Sequence, residues 1–540
     1  MRYLKNWKVW MALLMVGVFM SLYGFIYFES IKQPSEAWSG SIVVDTYDAS
    51  VNLNEPDKRI AFAVALEDRI LYVSGHDREI QIRTFNEAGK VTEIESIETA
   101  GIISEIAGEV DGNKLLLTTF TEDTGTLVFY QLDPVSLDIE RQDAYTSDYT
   151  GYNLSSQEVT LYKDNRIDVY TIDGVTEYTL EGNAPVTEAA SILVEAQRHV
   201  TFIRNDLGSN KLGLLVDDIT GEEVREIETI KSKSTTSPTN MQILDINGQV
   251  KILVTMMDSR TSTTELRIYT QGIEGLAGDF EKETIDLPSY NGIPYYSEAS
   301  EAFVIGIFDT NLGRTEVARG KSVFPNYYMT PNFERGTYTQ LTNTEMIGRT
   351  PSFVVLNGYD YLIHNEYAQG QAQIYMTSTN PDFVKRSQKV DGDGLFEIFI
   401  RTAVNYPAIM FSGILPTVSI LLPVLAIALP FMMLKLSWVE RNKTKTMLIV
   451  FGMYTLSKFY VYYTDIFASF SSAEILPAYL TPPIGHWGVM MGISALTMLI
   501  AMRRGYEVKE RNESFIKSLA LYILLDVTVL NLFFLPYTII

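Results

Sequence analysis

Lys458 and Asp526 each stand in the middle of a long apolar run, 446–468 for the lysine and about 515–537 for the aspartate. An unpaired charge at the centre of a lipid-embedded helix costs roughly 2.5–3.5 kcal/mol even on the lenient insertion scale. Both runs are expected to travel outward from a cytoplasmic end, which places Lys458 some 12 residues deep and Asp526 some 11. At matching depth the two charges meet, so they are read as an intramembrane polar pair. Such a pair locks a helix bundle. The other chemistry open to it is a proton or substrate path, or a docking point for a second membrane subunit. Tyr454, Tyr460, Tyr462 and Tyr463 put hydroxyls near Lys458, although the last two also suit an interfacial aromatic belt.

The remaining chemistry-bearing residues fall short of a site. Asp391-Gly392-Asp393-Gly394 has oxygen donors at alternate positions and glycines at the bends, as a calcium loop does. Its fifth-position ligand is missing and Glu397 is the only acid placed to finish it. Asp391, Asp393 and Glu397 are therefore weak metal candidates, and a polar turn is the favoured reading. His76, His199, His364 and His486 are dispersed, with no H-E-x-x-H and no spacing that sets two imidazoles on one face. His364 and Glu366 share a strand face by alternation and are read as a satisfied surface pair. No G-x-S-x-G, Walker-type or Rossmann loop occurs. No catalytic residue and no cofactor is assigned.

The elements that must position these residues are legible from charge and periodicity. The chain has 540 residues, 46% apolar and 20% charged, with no cysteine, which excludes disulfides, thiolate metal sites and cysteine nucleophiles. Residues 30–400 hold 58 Asp/Glu against 29 Lys/Arg, while 401–540 hold 11 basic residues against 7 acidic. A polyanion is repelled by the acidic block, so nucleic acid is excluded as a partner.

Residues 9–28 are twenty positions without a formal charge, enough at about 1.5 Å per residue to cover a hydrocarbon layer of roughly 30 Å. They read as an uncleaved transmembrane anchor, because the run exits through Tyr27, Phe28 and Glu29 and not through small residues. Further spans are expected at about 411–434, kinked by Pro416, Pro423 and Pro430, then at 446–468, about 484–502 and about 515–537. Basic clusters at Arg2/Lys5/Lys8, Lys435/Arg441/Lys443/Lys445 and Arg503/Arg504/Lys509/Arg511/Lys517 alternate with these spans. They put residues 1–8 in the cytoplasm, and residues 38–390 and the C-terminus outside, in a bacterial multi-pass cell-membrane protein of five helices. Residues 391–410 become a connector and 411–540 a four-helix transmembrane domain.

Between 40 and 390 the apolar pattern has period two in runs of four to eight, among them 40–47, 69–75, 79–85, 114–120, 126–132, 199–204, 250–257 and 372–378. A strand-turn-strand phrase recurs, with Ile82, Phe129, Val169, Leu214 and Arg267 at equivalent places and intervals of 47, 40, 45 and 53 residues. That is the propeller period, so residues 38–390 are expected to form an all-β propeller of about seven blades, closed by the strand at 40–47. The functional expectation is a non-enzymatic, membrane-anchored binding, assembly or sensor subunit. Its extracytoplasmic domain would bind a protein, peptide or glycan, and its helices a membrane protein partner. A small transporter or channel component using Lys458 and Asp526 is the alternative, and a surface polymer hydrolase or lyase a lower one.

Overall fold

Short β-branched segments pair with their sequence neighbours throughout the computed structural model. The structure describes most of residues 37–48, 60–287, 295–297, 302–306, 326–329, 339–342 and 349–412, together with 441–461, 487–498 and scattered positions at 16–31, 424–438 and 522–529. The chain divides into two compact units. One comprises Gln33–Thr310 and Val323–Gln388, and the other Met1–Lys32, Asn311–Ser322 and Lys389–Ile540.

The first unit holds, among the described residues, seven four-stranded antiparallel sheets. The first sheet is β2 (Ala61–Ala65), β3 (Ile70–His76), β4 (Glu79–Phe85) and β5 (Val91–Glu98). The second is β6 (Ile103–Asp111), β7 (Lys114–Thr121), β8 (Thr126–Leu132) and β9 (Ile139–Thr146). The third is β10 (Gly151–Leu154), β11 (Val159–Lys163), β12 (Arg166–Thr171) and β13 (Gly174–Thr179). The fourth is β14 (Val186–Val194), β15 (Gln197–Asp206), β16 (Ser209–Asp218) and β17 (Gly221–Ile230). The fifth is β18 (Thr236–Ile246), β19 (Gln249–Asp258), β20 (Thr263–Gln271) and β21 (Phe280–Leu287). The sixth is β22 (Tyr295–Ser297), β23 (Ala302–Gly306), β24 (Asn326–Met329) and β25 (Thr339–Gln340). The seventh joins β26 (Arg349–Leu356), β27 (Tyr359–Ala368) and β28 (Gln371–Ser378) to β1 (Ile42–Asp48), whose register runs from Ile42↔Met376 to Asp48↔Gln371. The five repeat positions Ile82, Phe129, Val169, Leu214 and Arg267 all fall in the third strand of consecutive sheets.

Middle strands are buried on both faces, and each face serves a different neighbour. In β3, Leu71 and Val73 pack with Ile106, Leu115 and Leu117 of the second sheet, while Ile70 and Tyr72 pack with Ile363, Ile374 and Met376 of the seventh. Similar cores join the second sheet to the third, the third to the fourth and the fourth to the fifth. Tight turns keep the strands in register. Between β4 and β5, Asn86 Oδ1 accepts from the amides of Ala88 and Lys90, and Gly89 takes φ +68°. A Cβ there would stand 2.8 Å from the Phe383 ring, so both the dihedral and the packing demand glycine. Phe383 comes from α1 (Pro381–Ser387), which Asn380 caps by accepting from the Asp382 amide at 2.9 Å.

Several expectations are corrected here. A closed propeller requires a packed seam at every joint. Core clusters join the first five sheets in order, the seventh to the first, and the seventh to Leu341 beside the sixth, but none among the described residues joins the fifth to the sixth. The domain is β-rich, and a closed ring is not shown. The helical transmembrane domain fails for a different reason: no helix among the described residues is long and apolar enough to cross a membrane. In α2 (Gly392–Ser412) the charged residues Asp393, Glu397 and Arg401 interrupt the apolar run, and α3 (Lys443–Val461) carries Lys443, Lys445 and Lys458. Most of the spans expected at 9–28, 411–434 and 515–537, and parts of 446–468 and 484–502, lie outside the described residues. The five-helix cell-membrane localisation, the membrane-anchored subunit and the transporter alternative all rested on those spans and are not retained. Nor do Gly392, Asp393 and Gly394 form the polar turn expected of Asp391–Gly394, since they open the helix α2.

Packing of this density has little room for an added atom. At Gly108 in β6 a Cβ would lie 2.6 Å from the Leu116 carbonyl oxygen and against the Phe62 ring. Gly108→Ala is expected to destabilise the sheet unit by about 1–3 kcal/mol, read as a lower midpoint in chemical denaturation. An unchanged midpoint would contradict the packing described for the first two sheets.

Candidate functional site

Two places gather polar chemistry, one in each unit. In the helical unit, Lys458 comes from α3, Ser494 and Thr497 from the helical stretch 487–498, and Asp526 from a helical position near the C-terminal end. Lys458 Nζ donates to Asp526 Oδ2 at 2.9 Å and to Ser494 Oγ, while Thr497 Oγ1 stands 3.0 Å from Asp526 Oδ1. Both charged side chains are 0% exposed, and the ammonium sits 5.7 Å from the Tyr454 ring centroid. Tyr454 and Tyr522 meet edge to face at 5.6 Å and complete the surround. On the same helix Leu448, Ile449, Leu456 and Tyr460 are exposed, so α3 turns the charge in its last turn inward and several large apolar groups outward. The arrangement ties three helical segments through one carboxylate, a use that favours geometry over net stability.

In the sheet unit the densest polar cluster lies where the seventh sheet meets the first. Arg83 of β4 is 3% exposed, and its guanidinium donates to Asp45 Oδ2 at 2.7 Å, Ser74 Oγ at 3.2 Å and Gln81 Oε1 at 2.6 Å. The Tyr47 ring lies 4.3 Å from Cζ, and Asn365 Nδ2 donates to the Tyr47 hydroxyl at 3.4 Å. Because Asp45 and Tyr47 belong to β1, Arg83 clamps the N-terminal strand to the first sheet by a charge-assisted hydrogen bond and a cation–π contact. Sequence reasoning passed over this residue. In β4, which reads EIQIRTF, it alternates with Glu79 and Gln81 and so resembles part of a solvent-facing polar face.

The other residues singled out from sequence are scattered. His364 and Glu366 do not form a surface pair: their side chains are 0% and 4% exposed, with Nε2 and Oε1 3.5 Å apart, and the imidazole stacks on Tyr375. Alternation put them on one face correctly, but β27 is buried on that face too. His199 is buried in β15, where desolvation lowers its pKa and the charge of Asp245 opposes the shift. His76 meets the Tyr47 ring edge to face. Glu397 forms an i,i+4 contact with Arg401 at 3.6 Å, Asp393 lies in α2, and Asp391 and His486 fall outside the described residues. Among the described residues no group of three potential metal ligands is gathered.

Further polar groups join the third sheet to the fourth. Arg198 Nε donates to Glu158 Oε1 at 3.0 Å and its Nη1 to Thr176 Oγ1 at 2.9 Å. Tyr178 donates to Asp217 Oδ2 at 2.7 Å, and Thr160 to Ser191 at 2.8 Å. Tyr269 of the fifth sheet donates to Glu228 of the fourth at 2.8 Å. These side chains fasten sheets together, and burial combined with the Asp217 carboxylate holds the Tyr178 phenol well above its usual range.

Breaking the Lys458–Asp526 pair leaves one desolvated charge behind. Lys458→Met and Asp526→Leu are each expected to destabilise the helical unit by about 3–5 kcal/mol, and the double variant to recover most of that loss. Thermal and denaturant unfolding followed by far-ultraviolet circular dichroism separates the cases. Additive single losses would show that the two side chains act independently.

No protein-family model matches the chain, and no curated protein matches it. Solved structures do. The chain is similar to the WD40 domain of coronin from Toxoplasma gondii, at 12% identity over 67% of this chain and 92% of that one, with a TM-score of 0.36. It is similar to Sqt1 from Saccharomyces cerevisiae at 8% identity over 62% and 99%, with a TM-score of 0.36. The WD40 domain of SCAP from fission yeast matches at 10% identity over 62% and 97%, with a TM-score of 0.29. The chain thus contains a β-rich domain with a weak likeness to WD40 β-propeller domains.

Proposed function

We propose that the sheet unit is a non-enzymatic scaffold that binds a protein or peptide partner presenting basic side chains. The observation that carries this reading is the character of the fourth strands. They stand at one edge of their sheets, and β5 and β17 are exposed over most of their length. β5 reads VTEIESIE and β17 GEEVREIETI, so carboxylates recur along edges that also expose Ile94 and Val224. Charge on an edge strand blocks indiscriminate pairing between sheets, and the same charge steers a partner of opposite sign. Apolar groups among the acids supply area that can be desolvated on docking.

Immobilised full-length chain is expected to retain a stoichiometric protein partner that is released as ionic strength rises. Reversing Glu93, Glu95, Glu222 and Glu223 to lysine should weaken retention by about tenfold or more while leaving cooperative unfolding intact. Retention that ignores both salt and charge reversal would remove the acidic strands from the reading, and the absence of any stoichiometric partner would remove the reading itself.

A further inference from the structure

We propose that Gly151, Tyr162 and Glu188 form a proton-binding site at the joint between the third and fourth sheets, and that release of the proton loosens this joint. Glu188 lies in β14, beside a break in register where the pairing passes from Val186↔Arg204 to Glu188↔Ile203. The irregularity turns a carboxyl toward the seam, where Tyr162 of β11 donates to Glu188 Oε2 at 3.3 Å. Gly151 makes this contact feasible. It pairs with Tyr162 across the antiparallel ladder, and a Cβ at Gly151 would overlap the Tyr162 hydroxyl and ring, so the phenol lies over bare backbone to reach Glu188.

Among the described residues no cation pairs with the carboxyl. The ionisable groups facing this seam from the packed elements are engaged elsewhere: Arg198 with Glu158 and Thr176, Asp217 with Tyr178, and Arg204 with the Glu181 carbonyl oxygen at 2.8 Å. On the third-sheet side, Lys163 pairs with Asp148, and Arg166 with Asp168 and Glu177. Among the described residues Glu188 is therefore left with one phenolic donor, that of Tyr162, which itself belongs to the apolar core between the third and fourth sheets. Burial raises its carboxyl from the ordinary range to about 7, and the Tyr162 hydrogen bond offsets only part of that rise. The sign follows directly. Between the unfolded value near 4.5 and the folded value near 7 the native state holds a proton that the unfolded chain has released, so stability falls as pH rises through this window and then levels off. Below the window the neutral carboxyl sits in the seam without a desolvation cost. Above it a half-buried carboxylate faces one hydrogen-bond donor, and the local opening of β11 and β14 becomes easier.

The test is hydrogen exchange of the full-length chain, read by mass spectrometry on peptides covering β11 and β14 and expressed as protection relative to intrinsic exchange. Protection there is expected to fall by about tenfold or more between about pH 5.5 and about pH 8.5, and to stay flat in Glu188→Gln. Tyr162→Phe removes the one donor to the carboxylate and should move the midpoint of the loss to higher pH. Equal pH dependence in the wild type and Glu188→Gln overturns the proposal. An unshifted midpoint in Tyr162→Phe overturns it as well, and that measurement decides the matter if Glu188→Gln fails to fold.

Discussion

Everything in the sheet unit depends on middle strands that are buried on both faces. A strand with one apolar face needs a single partner layer, whereas β3 sends Leu71 and Val73 to the second sheet and Ile70 and Tyr72 to the seventh. The first sheet is consequently packed between two neighbours, and similar cores link the second sheet through to the fifth. The 40–53-residue interval between repeat positions, read from Ile82 to Arg267, is the length of chain needed to lay down four such strands with their turns.

Hydrophobic packing is non-directional, so the seams also need groups that specify register. Arg83, Arg198, Tyr178 and Tyr269 fill that role, each reaching from one sheet to a carboxylate that belongs to another strand or sheet. A buried arginine that makes three hydrogen bonds is costly to displace, because every donor it loses stays desolvated. Arg83 holds β1, the N-terminal strand, and so secures the only sheet assembled from both ends of the unit. Glu188 departs from this pattern in having one tyrosine hydroxyl at 3.3 Å, where Asp45 and Glu158 have a guanidinium and Asp217 and Glu228 a shorter bond from tyrosine. Desolvation raises its pKa, and the single tyrosine bond offsets only part of the rise.

The helical unit meets the same constraint with fewer groups. Lys458 and Asp526 satisfy each other, and Ser494 and Thr497 take up remaining valences of the pair, so two fully buried charges are tolerated. The partners come from three helical segments, which makes the pair a statement about their relative placement and not about any one helix.

Period-two alternation, the spacing of Ile82, Phe129, Val169, Leu214 and Arg267, and the pairing of residues 42–48 with the last sheet were all open to inference from the amino-acid sequence, because strand geometry and repeat length are local properties. The outer strands were harder to see. β5, β9 and β17 are exposed on most of their residues and lack the apolar alternation that marks a half-buried strand. Anomalous charges such as Lys458 and Asp526 also stood out, since a polar residue in an apolar run is visible without coordinates. Burial did not. His364 and Glu366 look like a surface pair when only their own strand is considered, and Arg83 looks like any solvent-facing arginine. Whether a strand face meets water or another sheet is settled by residues far away in the chain. Only the tertiary structure decided those matters, because desolvation depends on what surrounds a group in space and not on what adjoins it in sequence.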